Sequence, residues 1–309
     1  MTQETPQPLI RLEHVTKRYR KFKAVDDVTF DVASGEVIGF VGENGAGKTT
    51  TISMLLGFIS PNHGTISVFG QPVTPANAHV SHARIGYAAG DMELPESMTG
   101  RQYIKFVMTQ SGGKKHAKRY EELYKIFKPQ LDKKISSLSR GNKQKIALVA
   151  ALVTQPQLIV LDEPTSGLDP VMQEAFLETI RDESARGTTI FMSSHYLQEV
   201  AEVCTRVLLM KEGKVVEDLT QIDLAARAGK TVMLQTRTEA QAPKHATAVE
   251  TKRVGELYEL SFSYTGHVDA LLAWVAEQKN VADIEITERT LEEEFKHIYN
   301  DKKPETDDE

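Results

Sequence analysis

The stretch Phe40 to Thr50, FVGENGAGKTT, places three glycines, one lysine and two threonines directly behind an apolar run. Gly42, Gly47, Lys48 and Thr49 fit the spacing G-x-x-x-x-G-K-[ST], whose chemistry is phosphate binding. With no side chains at Gly42, Gly45 and Gly47, successive backbone N–H groups can turn inward around phosphate oxygens. A helix starting near Lys48 adds partial positive charge. Lys48 would neutralise the outer phosphates, and the Thr49 hydroxyl would ligate Mg2+. The ligand such a loop asks for is a di- or triphosphate.

A loop of this kind needs a carboxylate at the end of a neighbouring strand, and Leu158 to Glu163, LIVLDE, supplies two. Asp162 is suited to hold a hydrated Mg2+. Glu163, the next residue and so aimed differently, could polarise an attacking water as general base.

These groups must be carried by strands that end together. EVIGFV (Glu36 to Val41), QLIVLD (Gln157 to Asp162) and TTIFMSS (Thr188 to Ser194) are apolar and β-branched, and each is followed by helix-like sequence. They read as buried parallel strands of a βα-alternating core. Leu9 to Val15, Ala24 to Val32 and His63 to Gly70 read as a flanking antiparallel sheet. From about Thr99 to Ala151 the chain reads as mostly helical, broken at Gly112-Gly113 and Pro129. Arg206 to Asp218 reads as a hairpin turning at Glu212-Gly213. Beyond it the character changes: TVMLQTR, ELYELSFSY and VADIEIT alternate as strands, while His267 to Gln278 and Leu291 to Tyr299 read as amphipathic helices. That predicts a small α+β domain from about Gly229, followed by a charged tail, DKKPETDDE, that reads as disordered.

The bulk numbers agree with two domains. The chain has 309 residues, and domains run to roughly 150. A net charge of -6, from 37 Lys+Arg and 43 Asp+Glu, gives no basic signal for nucleic acid. The one cysteine, Cys204, cannot form an intrachain disulfide, and the polar N-terminus lacks the apolar core of a signal peptide. Both favour the cytoplasm. The longest apolar runs, such as Ile146 to Val153, fall short of the roughly 20 residues that cross a bilayer. A role at a membrane would need other chains to span it.

Over roughly Leu9 to Leu219 the sequence resembles the nucleotide-binding subunits of ATP-binding cassette (ABC) transporters. Besides the two motifs above, Leu138 to Gln144, LSRGNKQ, resembles the family signature LSGGQ and precedes the carboxylate motif by a helix. Ser166-Gly167-Leu168-Asp169 resembles the D-loop, His195 in SSH the switch histidine, and Tyr19 the aromatic that stacks on adenine, with Phe22 nearby as a substitute. The resemblance implies an α/β fold: a P-loop NTPase core with an antiparallel β subdomain and a helical insertion (about 92–150) over residues 1–222. An accessory α+β domain at 229–300 and the tail at 301–309 complete the expected organisation. It implies ATP and Mg2+ as ligands, with nucleotide contacts from Tyr19, Gly42, Glu43, Asn44, Gly45, Ala46, Gly47, Lys48, Thr49 and Thr50. Ser139 and Gly141 would contact the γ-phosphate of the opposite subunit. Glu163, His195 and Lys48 would be catalytic, Thr49 and Asp162 would hold the metal, and Ser166 and Asp169 would organise the dimer seam.

Three features depart from the family pattern. Gly90 stands where the family carries a glutamine that contacts Mg2+ or water. Either Asp91 reaches the metal through water or that ligand is absent, and slower but active hydrolysis is expected. The signature reads SRGN, retaining Ser139 and Gly141 while Arg140 adds positive charge, as in basic variants among small bacterial exporters. The third departure is the additional C-terminal domain, whose ending VADIEITERTLEEEFKHIYN resembles the strand-plus-helix ending of ABC-2 type exporter ATPases. There Leu291, Phe295 and Ile298 share one helical face, read as core packing or partner docking.

Other signals read as structural. His79 and His82 have helical spacing without acidic or cysteine partners. Cys204 reads as a small buried residue on an amphipathic helix, and Lys114 to Arg119 as a solvated helix face, or as a contact for anionic lipid or a partner. The expected function is an ATP-hydrolysing subunit that dimerises around ATP, with itself or a similar chain. It would power separate transmembrane permease subunits of an exporter at the inner face of the cell membrane. Gly90 to Tyr103 would form the groove for a permease helix, with Met92, Leu94, Pro95 and Met98 as apolar contacts. Alternatives are a soluble ABC ATPase of translation or DNA repair, and a regulatory module in which nucleotide only gates association.

Overall fold

The structure is a computed structural model and describes residues 7–90, 93–227 and 229–288. Two compact units divide the chain, Met1–Leu219 and Thr220–Glu309. Asp91, Met92, the Leu291 to Tyr299 segment with Leu291, Phe295 and Ile298, and the tail 301–309 lie outside the described residues.

In the first unit, β1 (Ile10–Tyr19) and β2 (Phe22–Val32) pair antiparallel. β3 (Val37–Val41) is buried at every residue, and an apolar sequence without alternation is what a strand covered on both faces requires. After α1 (Lys48–Leu55), β4 (His63–Val68) and β5 (Gln71–Pro72) complete a sheet of order β2-β1-β4-β5. α2 (Ala78–His82) and β6 (Ile85–Ala89) lead into the helical insertion.

The insertion holds α3 (Gly100–Gln110), α4 (Ala117–Phe127) and α5 (Arg140–Val153). α3 opens on a capping box in which the Thr99 hydroxyl accepts from the Gln102 N–H and the Gln102 side chain accepts from the Thr99 N–H. The expected break at Gly112-Gly113 is present, with φ values of 107° and 62°. α4 stops at Lys128, which turns left-handed (φ 44°) ahead of Pro129.

β7 (Leu158–Asp162), α6 (Pro170–Ala185), β8 (Thr189–Ser194), α7 (Leu197–Ala201), β9 (Arg206–Lys211) and β10 (Lys214–Thr220) follow. α6 starts with the Asp169 carboxylate accepting from the Met172 N–H and with Pro170 at its first position. Glu212 and Gly213 both have positive φ (47° and 81°), the geometry of a tight hairpin turn between β9 and β10. The six-stranded sheet has order β10-β9-β3-β8-β7-β6, and its pairs from β9 to β6 are parallel. The three apolar segments expected as parallel strands are β3, β7 and β8. Phe30 stacks on Phe191 at 5.9 Å and Phe40 packs beside both, so one core joins the two sheets. This is the α/β P-loop core with its antiparallel subdomain and helical insertion.

The second unit contains α8 (Gln221–Arg227), β11 (Lys230–Thr236), β12 (Ala246–Val254), β13 (Leu257–Tyr264), α9 (Val268–Glu277) and β14 (Val281–Glu288). Its sheet is antiparallel, of order β12-β13-β11-β14. Val232, Leu234, Leu260, Phe262 and Leu271 form its core, with Trp274 edge-on to Phe262. β12 has no counterpart among the expected strands. It is exposed along nearly its whole length, so its sequence shows no alternation, and the ladder to β13 holds it as an edge.

Two expectations need correction. Cys204 is fully buried but lies in the loop between α7 and β9, not on a helix, and burial pushes its thiol pKa up. The Lys114 to Arg119 segment is not a uniformly solvated face. Arg119 is buried and donates to Glu183 at 2.5 Å, and buried Glu183 also accepts from Arg186 and Thr188. A buried charge persists when it is paired, and this partner lies 64 residues downstream. His82 is structural, its Nε2–H donating to the Leu56 carbonyl at 2.7 Å. No helix among the described residues is long and apolar enough to cross a membrane.

Candidate functional site

α1 begins at Gly47 without any side-chain cap. Its first backbone bond runs from the Thr51 N–H to the Gly47 carbonyl, so the N–H groups of Lys48, Thr49 and Thr50 have no helical acceptor. A Cβ at Gly42 would stand 2.3 Å from the Met210 carbonyl oxygen, and one at Gly47 (φ +108°) 2.2 Å from that of Ala24. Only glycine permits these approaches. The Lys48 ammonium is buried, donates to the carbonyls of Gly42 (2.6 Å) and Glu43 (3.2 Å), and lies 3.6 Å from the Glu163 carboxylate. In front of it opens a cavity of about 220 Å³ lined by Tyr19, Phe22, Ala24, Asn44, Gly45, Gly47, Lys48, Thr49, Thr50 and Glu163. Tyr19 and Phe22 are both exposed and face each other across the β1–β2 turn.

The adjacent strands β7 and β8 deliver the acids and the histidine. Ser193 donates to Asp162 Oδ1 at 2.5 Å and accepts the Glu163 N–H at 3.0 Å. Glu163 has φ 49°, and a non-glycine residue in that region costs on the order of 1–3 kcal/mol. Its carboxylate lies between Lys48 and His195, with Nδ1 of His195 at 3.8 Å. The His195 ring packs on Tyr196. Glu199 accepts from the hydroxyls of Ser194 (3.0 Å) and Thr165 (3.1 Å), joining this end of β8 to the turn after Glu163. Burial pushes the Tyr87 pKa up to about 12, with the Asp162 carboxylate adding to the shift.

Hard divalent cations take oxygen ligands, and the exposed Thr49 hydroxyl and the Asp162 carboxylate are such donors. Among the described residues, no group of three or more His, Cys, Asp or Glu side chains could hold a metal. These two oxygen donors fit a hard divalent cation, which would complete its shell with phosphate and water.

Ser139 and Gly141 do not line the Lys48 cavity. Ser139 is the N-cap of α5, its hydroxyl accepting from the backbone and side chain of Asn142. A Cβ at Gly141 would stand 2.6 Å from the Gly167 carbonyl oxygen, and Arg140 donates to the Ser166 hydroxyl at 2.9 Å. A separate groove of about 650 Å³ is lined by Gly90, Glu93, Leu94, Glu96, Arg140 and Lys143, among others. The Gly90 N–H donates to the Asp162 carbonyl, and a Cβ at 90 would lie 2.9 Å from the Glu163 carbonyl oxygen. Ser193 and Glu199 are site residues that the motif reading leaves out. The signal for the first was present: two serines close an otherwise apolar strand just before His195.

Residues 25–166 match the family described as ABC transporter. The chain is 35% identical over 230 residues to the Nod factor export ATP-binding protein I of Paraburkholderia xenovorans (strain LB400), covering 72% of this chain and 75% of that protein. It is 32% identical over 232 residues to the linearmycin resistance ATP-binding protein LnrL of Bacillus subtilis (strain 168), covering 74% of each. Among solved structures, one described as an ATP binding subunit of an ABC transporter superposes with a TM-score of 0.65 at 29% identity, over 70% of this chain and 91% of that one.

Proposed function

The chain belongs to the ABC transporter family as an ATP-binding, ATP-hydrolysing subunit, and from that premise we propose that two subunits close around ATP to drive separate permease subunits of an exporter. The observation that carries this reading is the convergence of Lys48, Glu163 and His195 in front of an uncapped helix start.

In this reading the Tyr19 ring stacks on the purine, an interaction worth on the order of 1 kcal/mol. The loop Gly42, Glu43, Asn44, Gly45, Ala46, Gly47, Lys48, Thr49 and Thr50 wraps the phosphates with its unfilled N–H groups. Lys48 exchanges the Gly42 and Glu43 carbonyls for phosphate oxygens. Thr49 and Asp162 would hold Mg2+, which when bound neutralises the charge that builds on the phosphates. Glu163 accepts a proton from the attacking water, and His195 holds the terminal phosphate and aligns Glu163. Ser139 and Gly141 of one subunit cover the phosphate bound to the other, which accounts for their absence from the Lys48 cavity of their own chain.

The groove beside Gly90 and Leu94 supports docking of a permease segment, which would hold the subunit at the inner face of the membrane. The export and resistance functions named for the two relatives support an exporter. The test is hydrolysis of ATP that depends on Glu163, together with recovery of a polytopic membrane protein when this chain is purified from detergent-solubilised membranes. A chain that binds ATP without hydrolysing it would instead be a nucleotide-gated module.

A further inference from the structure

Ser193 sits in β8, two residues before His195, with no exposed surface. Its hydroxyl proton goes to Asp162 Oδ1 and its oxygen accepts the Glu163 N–H. A hydroxyl carries a single proton, so these two bonds together fix its rotation. Among the described residues, no other side chain hydrogen-bonds the Asp162 carboxylate. The β7–β8 register sets Ser193 directly beside Asp162, which makes the arrangement a property of the sheet and not of a loop.

The two bonds act on two different problems. The first turns the Asp162 carboxylate, because one oxygen is engaged by Ser193 while Oδ2 accepts no hydrogen bond from the described residues. The second holds the backbone at Glu163, which keeps φ at 49°. A non-glycine residue stays there only when its surroundings over-determine it. At Gly90 there is no side chain to assist, and its N–H donates to the Asp162 carbonyl.

We infer that Ser193 is a positioning residue for hydrolysis, one hydroxyl that both presents Asp162 to the cation and aims Glu163 at the water. The inference rests on the Mg2+–ATP reading of the site. Groups that orient metal ligands from behind change metal affinity or activity by roughly 10–100-fold when removed. The two preceding positions in β8, Phe191 and Met192, are buried and apolar, and the Ser193 hydroxyl that follows them is engaged on both sides, by Asp162 and by the Glu163 N–H.

The experiment compares the parent with Ser193→Ala, Ser193→Thr and Ser193→Val, using the fluorescence of mant-ATP on titration with Mg2+. The readout is the Mg2+ concentration that gives half the metal-dependent gain in binding, alongside the Mg2+ requirement for hydrolysis. Ser193→Ala and Ser193→Val should raise both concentrations by about 10–100-fold while mant-ATP binding in EDTA stays at the parent's level. Ser193→Thr keeps the hydroxyl and should stay near the parent. Thr and Val have the same shape, so a packing fault would move them together. Equal Mg2+ requirements for Thr and Val, or an alanine variant that matches the parent, would overturn the role of Ser193. A parent whose mant-ATP binding ignores Mg2+ would instead overturn the reading of the site beneath it.

Discussion

Two helix starts in the first unit are prepared in opposite ways. α1 begins at Gly47 with no side-chain cap, and the cavity before it is lined by Tyr19, Lys48 and Glu163 of the same chain. α5 begins at Ser139, which caps its own helix through Asn142, and the next residue, Arg140, is tied to Ser166. Nothing in that second turn reaches the Lys48 cavity. An open helix start with a lined cavity can take a ligand within one chain. A capped start, found also at α3 and α6, is stable without a ligand of its own. The proposal of a nucleotide shared between two subunits gives the Ser139 start its role from the neighbouring chain.

The largest expected effect removes the group that acts in the first site without touching the second. Glu163→Gln should lower steady-state ATP hydrolysis by roughly 10²–10⁴-fold while equilibrium binding of ATP is retained. Retained hydrolysis would return the general-base role to another group.

Lys48→Ala attacks the α1 side directly. Loss of charge-assisted hydrogen bonds of about 1.5–3 kcal/mol each should weaken ATP binding by roughly 10–100-fold, measured by calorimetry. An affinity like the parent's would mean that the open helix start does not hold the phosphates.

Gly90 lies where the two regions meet. The Cβ of Gly90→Ala would press on the Glu163 carbonyl and the Ser166 side chain. Displacements well under 1 Å at a reacting group suffice to slow it, so a loss of roughly threefold to tenfold in turnover is expected, with ATP affinity unchanged. Gly90→Gln meets the same contact, so it tests the missing carboxamide only when compared with the alanine variant. Equal turnover in all three proteins would show position 90 to be idle.

The smallest effect belongs to the second unit, which serves as the control region. Hydrogen bonds from Lys252 and Gln235 hold the Glu259 carboxyl below its ordinary range. A carboxylate with a lowered folded pKa stabilises the fold above the ordinary value of about 4.3 and loses that contribution as pH falls through the lowered one. Glu259→Gln should therefore lower Tm by about 1–2 °C near neutral pH and lose its difference from the parent in acid. ATP hydrolysis should not change.

Much of this was legible in residues. The glycine spacing of FVGENGAGKTT and the apolar strands EVIGFV, QLIVLD and TTIFMSS specify both the phosphate loop and the sheet that carries it, because fully buried parallel strands need continuous apolar sequence. β12 was not legible, since an exposed edge strand leaves no period in its sequence. The pairing of Arg119 with Glu183 was hidden for another reason: no local pattern announces a partner on α6. Ser193 falls between these cases. A polar residue ending a buried strand is visible in TTIFMSS, but only the register against Asp162 says what it does.

The most direct test of the shared nucleotide is the molar mass of the Glu163→Gln protein, followed by light scattering as Mg2+ and ATP are added. The account predicts a change from one chain to two, and a return to one chain when Ser139→Ala is combined with Glu163→Gln. A mass that stays at one chain under saturating ATP, or a dimer indifferent to Ser139, would contradict it.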